Sequence, residues 1–178
     1  MEKKESKRLK EAMLKVYSAD QTTIMKGLKA IREVGTSGTI QPLLDVYRDS
    51  EDEEVRREIE DILANLKMES AIEPLVEALD EERFEEQKGL ILSSLWNSGF
   101  YPSDHLEPIA RAAVQGDYLC AVEAITVMEN MEGPFQFDDL EEASHLVEEF
   151  LSQDLEDPKI LLIESLRELL MDFRTHLD

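Results

Sequence analysis

Apolar residues recur along the chain with the spacing of amphipathic helices. The clearest set is Val55, Ile59, Ile62 and Leu66. These positions are related by i, i+4, i+7 and i+11 and share one face of a helix. The matching set 31 residues earlier is Ile24, Leu28 and Ile31. Runs of β-branched residues bounded by turn residues, which would predict strands, do not occur in the sequence. The pattern predicts an all-α protein.

The same periodicity predicts five antiparallel helical hairpins. Their helices cover residues 3–17 with 21–34, 39–49 with 53–66, 70–80 with 84–98, 103–115 with 117–131, and 139–152 with 158–173. One hairpin cannot bury its own apolar stripe, so we expect neighbouring hairpins to stack around a continuous core. We expect a single domain over residues 1–178, with the clearest repeats in 21–131 and capping hairpins at 1–20 and 138–178.

Three prolines share the phase of this repeat. Pro42, Pro74 and Pro108 are 32 and then 34 residues apart, and each follows a polar segment by a few residues. Proline in the first turn of a helix costs little, because its missing N–H would have no acceptor within the helix. We therefore expect each proline to begin a helix. Gly35 and Gly99 are predicted to end helices in the left-handed conformation that glycine tolerates.

One segment has the order of features found in a known helical repeat. These features are Pro42-Leu43-Leu44, the acidic turn from Asp49 to Glu54, and Val55-Arg56. In this order the sequence resembles the HEAT-repeat family, most clearly over residues 21–100. The resemblance implies a right-handed α-α superhelix, or solenoid. It also implies that Arg56 contributes to a polar ladder between repeats, together with Asp49 or Asp52.

The formal net charge of −22 is unevenly distributed. Residues 1–35 contain nine Lys/Arg against five Asp/Glu, whereas residues 36–178 contain ten against thirty-six. Duplex nucleic acid and anionic membranes both require a positive surface, so the charge disfavours both as partners. We expect a protein or peptide partner of basic character. The chain is expected to be monomeric or to self-associate weakly, with the basic segment 1–35 contacting the acidic body of a second molecule head to tail.

Cysteine content and hydropathy indicate the compartment. Cys120 is the single cysteine, which excludes an internal disulfide and is typical of a reducing environment. No stretch approaches the roughly 18 apolar residues of a membrane-spanning helix. The first residues carry charges without a following apolar run, unlike a signal peptide. We predict a cytoplasmic protein.

The sequence offers little for catalysis. His105, His145 and His176 fall in different predicted helices, and the Glu-x-x-His spacing ending at His145 lacks the second copy that a di-iron site requires. Cys120 has no neighbouring base in the sequence and is expected to be a packed thiol. We predict no enzyme, cofactor or metal. The enzymatic alternatives are HEAT-like bilin lyase-type proteins, which no residue here favours, and DNA glycosylases, whose cationic groove the charge opposes.

The helix predicted over residues 84–98 has more apolar residues than one buried stripe requires. Its core-facing set is Phe84, Ile91 and Leu95. The second stripe consists of Lys88, Leu92 and Trp96, with Phe100 and Tyr101 in the following loop. Because Trp and Tyr are enriched at binding hot spots, this stripe is our candidate partner-binding site. The alternative interpretation is that the stripe packs against the next hairpin. The function predicted from the sequence is that of a scaffold or adaptor.

Overall fold

All regular secondary structure in the computed structural model, which describes residues 2–153 and 156–177, is helical. The α-helices are α1 Glu2–Val16, α2 Gln21–Val34, α3 Ile40–Asp49, α4 Glu53–Leu63, α5 Ile72–Leu79, α6 Lys88–Asn97, α7 Leu106–Gln115, α8 Tyr118–Met128, α9 Phe137–Leu151 and α10 Ile160–Phe173. Short 3-10 helices cover Ser37–Thr39, Glu69–Ala71, Glu82–Gln87 and Arg174–His176. The all-α prediction is confirmed. None of the described helices has the length and apolar character needed to cross a bilayer.

Local sequence features account for where several helices begin. Pro42, Pro74 and Pro108 are each the third residue of α3, α5 and α7, as the repeat phase predicts. Acidic residues begin three of the helices that follow a turn. Asp20 accepts from the Thr23 N–H at 2.8 Å, and Asp52 and Asp117 cap α4 and α8 in the same way. Part of the acidic charge therefore satisfies helix N–H groups that have no partner within the helix.

The chain is divided into two compact units, Met1–Leu75 and Val76–Asp178, with the boundary inside α5. In the first unit, α1 packs against α2, α3 against α4, and α2 against α4. The predicted stripe is buried, with Val55 and Ile59 fully inaccessible to solvent. Gly27 allows the close approach of α1, since a Cβ there would lie 2.8 Å from Val16 Cγ1.

The helices of the second unit form two layers. Helix α8 packs against both α6 and α10, so these three helices form one row in the order α6, α8, α10. Helices α7 and α9 pack against each other, and they contact α8 and α10, respectively. The apolar sides of both layers meet in a core that includes Ile91, Leu95, Ala124, Leu140 and Leu166.

The beginning of α6 differs from the prediction. Residues 82–87 form a 3-10 helix, and Phe84 has φ −112° and ψ 18°, outside the helical region. The α-helix begins only at Lys88. Phe84 is nevertheless fully buried, and the Arg83 guanidinium lies 4.4 Å from its ring centroid. The predicted core role of Phe84 is confirmed, while the predicted continuous helix over 84–98 is wrong.

The two glycines predicted to end helices act in different ways. Gly99 has φ 74°, and the next residue folds back so that the Phe100 N–H donates to Leu95 O at 2.9 Å. Gly35 ends α2 with φ −61°, so the left-handed prediction is wrong there. A Cβ on Gly35 would lie 2.7 Å from Ile31 O. Close backbone approach, not handedness, is what requires glycine at this position.

The polar contacts of Arg56 are not those implied by the HEAT resemblance. Arg56 Nε donates to Tyr47 O at 3.3 Å, and its guanidinium lies 4.6 Å from the Tyr47 ring centroid. Asp52 caps α4, and Asp49 accepts from Arg48 Nε at 2.8 Å. Both acidic candidates are therefore engaged elsewhere, Asp52 by N–H groups and Asp49 by a neighbouring cation.

Polar contacts between the helix pairs of the first unit use other residues. Arg32 of α2 donates to Glu58 of α4 at 2.9 Å and also pairs with Asp61. Gln21 donates to Glu54 at 3.1 Å at the other end of the same two helices. These contacts join α2 to α4 directly, and Asp49, Asp52 and Arg56 take no part in them.

Candidate binding surface

The structure buries most of the predicted binding stripe. Lys88, Leu92 and Phe100 are buried, Trp96 is partly exposed, and Tyr101 is exposed. Helix α8 provides the cover, because a Cβ on Gly89, beside this stripe, would lie only 3.8 Å from Cys120 Sγ. The burial of Lys88, Leu92 and Phe100 agrees with the alternative interpretation, in which the stripe packs against the next hairpin. Trp96 and Tyr101 remain available to a partner.

Trp96 links α6 to α8 at the surface. Its indole N–H donates to the Glu123 carboxylate, with 2.6 Å between Nε1 and Oε2. A hydrogen bond to an ionised acceptor is stronger than a neutral one and fixes the orientation of both groups. The ring is thus held in place while part of it stays accessible to solvent.

Trp96 belongs to a wider surface on the row of α6, α8 and α10. On the side of α8 that faces away from the core lie Leu119, which is 65% exposed, and Glu123. The corresponding side of α10 carries Leu161, which is 75% exposed, and Glu168. We call the set Trp96, Leu119, Glu123, Leu161 and Glu168 the Trp96 face. It combines one anchored aromatic ring, two exposed leucines and two carboxylates.

The Trp96 face is acidic because the basic residues of its helices are placed elsewhere. Lys88 and Arg167 are the only basic residues of α6, α8 and α10. Lys88 is buried, and its ammonium lies 2.6 Å from a carboxylate oxygen of Glu85. Arg167 lines a groove with Val147 and Met171, on the side of α10 that faces α9. A cationic partner therefore meets no positive side chain from these helices on this face.

Several other carboxylates of the second unit stabilise the fold. Asp139 of α9 accepts from the backbone N–H groups of Leu106 and Glu107 at 2.7 and 2.9 Å, which satisfies the first turn of α7. Asp80 pairs with Arg111 at 2.5 Å. These acidic groups are occupied, which distinguishes them from the exposed carboxylate of Glu168.

Cys120 is a packed thiol. Burial, together with the hydrogen bond to Asp117, raises the pKa of its thiol to about 11. The thiolate is the reactive form of cysteine, so this thiol is a poor nucleophile at neutral pH. In the described parts of the chain, no three His, Cys, Asp or Glu side chains are grouped to hold a metal ion.

We expect Cys120 in the folded protein to react slowly with an aromatic disulfide reagent at mildly alkaline pH. The raised pKa leaves a thiolate fraction far below that of an unperturbed cysteine, whose pKa is about 8.5. The rate should be at least about a hundredfold lower than for the same chain in denaturant. Absorbance of the released thiol measures both rates. Equal rates in the folded and unfolded chain would show that the thiol is accessible and ionised.

Comparisons with protein-family models, with curated proteins and with solved structures find no match for this chain. The residues of the Trp96 face, their exposure and their charge are therefore the basis for the function proposed next.

Proposed function

We propose that this chain is a HEAT-like scaffold or adaptor that binds a basic protein or peptide segment on the Trp96 face. The observation that carries the proposal is the composition of that face. It holds an aromatic ring fixed by a carboxylate, two exposed leucines, and no basic side chain from α6, α8 or α10. Anchored aromatic residues surrounded by apolar and polar contacts are typical of protein-binding surfaces.

The repeat architecture is part of this proposal. The prolines in the first turns of α3, α5 and α7 support it, as do the contacts of α2 with α4 and of α8 with α6 and α10. Repeat proteins of stacked helix pairs commonly bind partners along one row of helices. The right-handed superhelix of about five hairpins, the absence of catalysis and the cytoplasmic location belong to the same proposal.

The chemistry of the face indicates how a basic segment would bind. A Lys or Arg side chain placed near Trp96 could contact the indole ring and share the Glu123 carboxylate. A second cation would meet Glu168, and apolar side chains of the partner would cover Leu119 and Leu161. A short amphipathic segment with apolar and basic residues has this composition.

Fluorescence provides a direct test, because Trp96 is the only tryptophan of the chain. A designed amphipathic peptide of Leu and Lys should change the Trp96 emission in a saturable way. The same peptide with Glu in place of Lys should not. Binding should weaken steadily as salt is added, since the two partners carry opposite charge. Equal binding of the two peptides, or none of either, would overturn the proposal.

We expect Glu123→Gln to weaken binding of the Leu/Lys peptide by about two- to fivefold, a typical loss for one exposed charge pair. The amide oxygen can still accept from the Trp96 N–H, so the ring should keep its place. The matched control is Glu149→Gln, which removes an exposed carboxylate of α9 in the other layer and should leave affinity unchanged. Calorimetric titration of both variants makes the measurement. Equal losses for the two variants would mean that only net charge matters.

A further inference from the structure

Helix α1 is the most basic helix of the chain, and one side of it is exposed between Lys7 and Leu14. Residues 2–16 contain six Lys/Arg and three Glu. Ala12 and Val16 bury one side against α2. On the opposite side, Leu14 is 76% exposed, and Lys7 and Lys10 are also exposed. Tyr17, directly after the end of α1, is 59% exposed and lies beside Val46 and Asp49 of α3. We call Lys7, Lys10, Leu14 and Tyr17 the α1 stripe.

The spacing of the α1 stripe makes it a single surface. Lys7, Lys10 and Leu14 are related by i, i+3 and i+7, which places them within an arc of about 60° on α1, and Tyr17 follows directly after the helix. Two exposed apolar side chains next to two lysines form an amphipathic surface of the kind that mediates contacts between proteins. In composition the α1 stripe matches the basic, apolar segment that the Trp96 face is proposed to bind.

We infer that the α1 stripe of one copy of this chain binds the Trp96 face of a second copy, an inference that rests on the proposed function. Charge complementarity supports this choice of partner. Residues 1–35 have an excess of four positive charges, whereas the remaining residues have an excess of twenty-six negative charges. Lys7 and Lys10 would face Glu123 and Glu168, and Leu14 and Tyr17 would cover the two exposed leucines.

The interface joins two different surfaces, so it is heterologous. The α1 stripe belongs to the first unit and the Trp96 face to the second, so a copy that has bound through one surface still carries the other. A single short helix buries less area than a stable complex requires, which makes the association weak and reversible. Oligomers should therefore form only at high protein concentration.

The self-association should depend on salt concentration differently from the binding of a Leu/Lys peptide. Two copies with a net charge of −22 each repel one another at long range, whereas the lysines and carboxylates attract only in contact. At about 0.01 M salt the Debye length of about 30 Å lets the repulsion dominate, and at about 1 M salt the length of about 3 Å also screens the contacts. Association should be strongest near about 0.1 M salt. Binding of a Leu/Lys peptide lacks this maximum, because its charge is opposite to that of the protein.

Sedimentation velocity over about 5 to 300 µM protein tests the self-association at these three salt concentrations. We expect the average sedimentation coefficient to rise with concentration most steeply at the intermediate salt concentration. A donor variant, Lys10→Glu with Leu14→Ser, and an acceptor variant, Leu161→Lys with Glu168→Lys, should each stay monomeric. All four side chains are exposed, so both variants should keep the wild-type helix signal.

Mixing the two variants gives the sharper result. The donor variant keeps an intact Trp96 face, and the acceptor variant keeps an intact α1 stripe, so an equimolar mixture should form a dimer and nothing larger. A mixture that stays monomeric overturns the inference. Wild-type protein that is monomeric at every concentration, or a donor variant that associates as the wild type does, overturns it as well.

A peptide titration separates this inference from the proposed function. A synthetic peptide of residues 2–18 and the Leu/Lys peptide are each added to the donor variant while Trp96 emission is recorded. Binding of both supports both proposals. Binding of the Leu/Lys peptide alone overturns the self-association and leaves the proposed function standing. Binding of neither overturns both.

Discussion

Ile59→Asp is expected to unfold the first unit, or to bring it close to unfolding. Ile59 is fully buried in the middle of α4, with Val55 one turn before it and Ile62 one turn after it. A carboxylate in this apolar surrounding loses its hydration and gains no partner, which costs about 4 kcal/mol or more. Urea unfolding followed by circular dichroism measures the loss. A midpoint equal to that of the wild type would show that the stripe is misassigned.

Two comparisons assign the effect of Ile59→Asp to the buried charge. Ile59→Val removes one methylene group and should cost only about 0.5 to 1.5 kcal/mol. Burial raises the pKa of the introduced carboxyl above its unfolded value of about 3.9, so the full penalty applies above the folded-state pKa. The difference from wild type should shrink as the pH falls toward the unfolded value, since protonation removes the charge. A pH-independent difference would indicate a steric cause.

Lys159→Ala is expected to destabilise the second unit by about 3 kcal/mol, since hydrogen bonds to charged groups contribute about 1.5 to 3 kcal/mol each. The side chain is buried just before α10, and its ammonium donates to Val114 O at 2.8 Å and to Gly116 O at 2.6 Å. These carbonyls lie at the end of α7, where no N–H of the helix is available to them. The ammonium also lies 5.1 Å from the Phe150 ring centroid. Thermal and urea unfolding measure the loss.

The matched control for Lys159→Ala is Lys67→Ala, at an exposed lysine, which should change stability by less than about 0.5 kcal/mol. Lys159→Met keeps most of the apolar stem, so it separates packing from the hydrogen bonds. If the ammonium is the stabilising group, the Met variant should lose nearly as much as the Ala variant. A small loss in both would show that the contact with the end of α7 is dispensable.

The sequence predicts only part of the candidate site around Trp96. The apolar excess of α6 identified Trp96 as unusual, and the structure places Trp96 at the surface between α6 and α8. Leu92 belongs to the same predicted stripe as Trp96, yet it is fully buried. Which of the two is covered depends on α8, some thirty residues further along the chain. Glu123, the acceptor for the indole, had no signal in the sequence beyond its helical position.

The sequence by itself determined the all-α class, the first turns at Pro42, Pro74 and Pro108, and the buried stripe of α4. These features arise within one or two helical turns, where proline geometry, capping carboxylates and a period of about 3.6 residues act locally. Only the tertiary structure decided the burial of Leu92 and the contacts of Lys159. A helix offers several sides to its neighbours, and burial or pairing of a side chain depends on groups distant in sequence. The local sequence around Lys159, which follows Asp157-Pro158, is that of a surface lysine. Lys159 is nevertheless buried, because the end of α7 lies beside it and the carbonyls of Val114 and Gly116 accept from its ammonium.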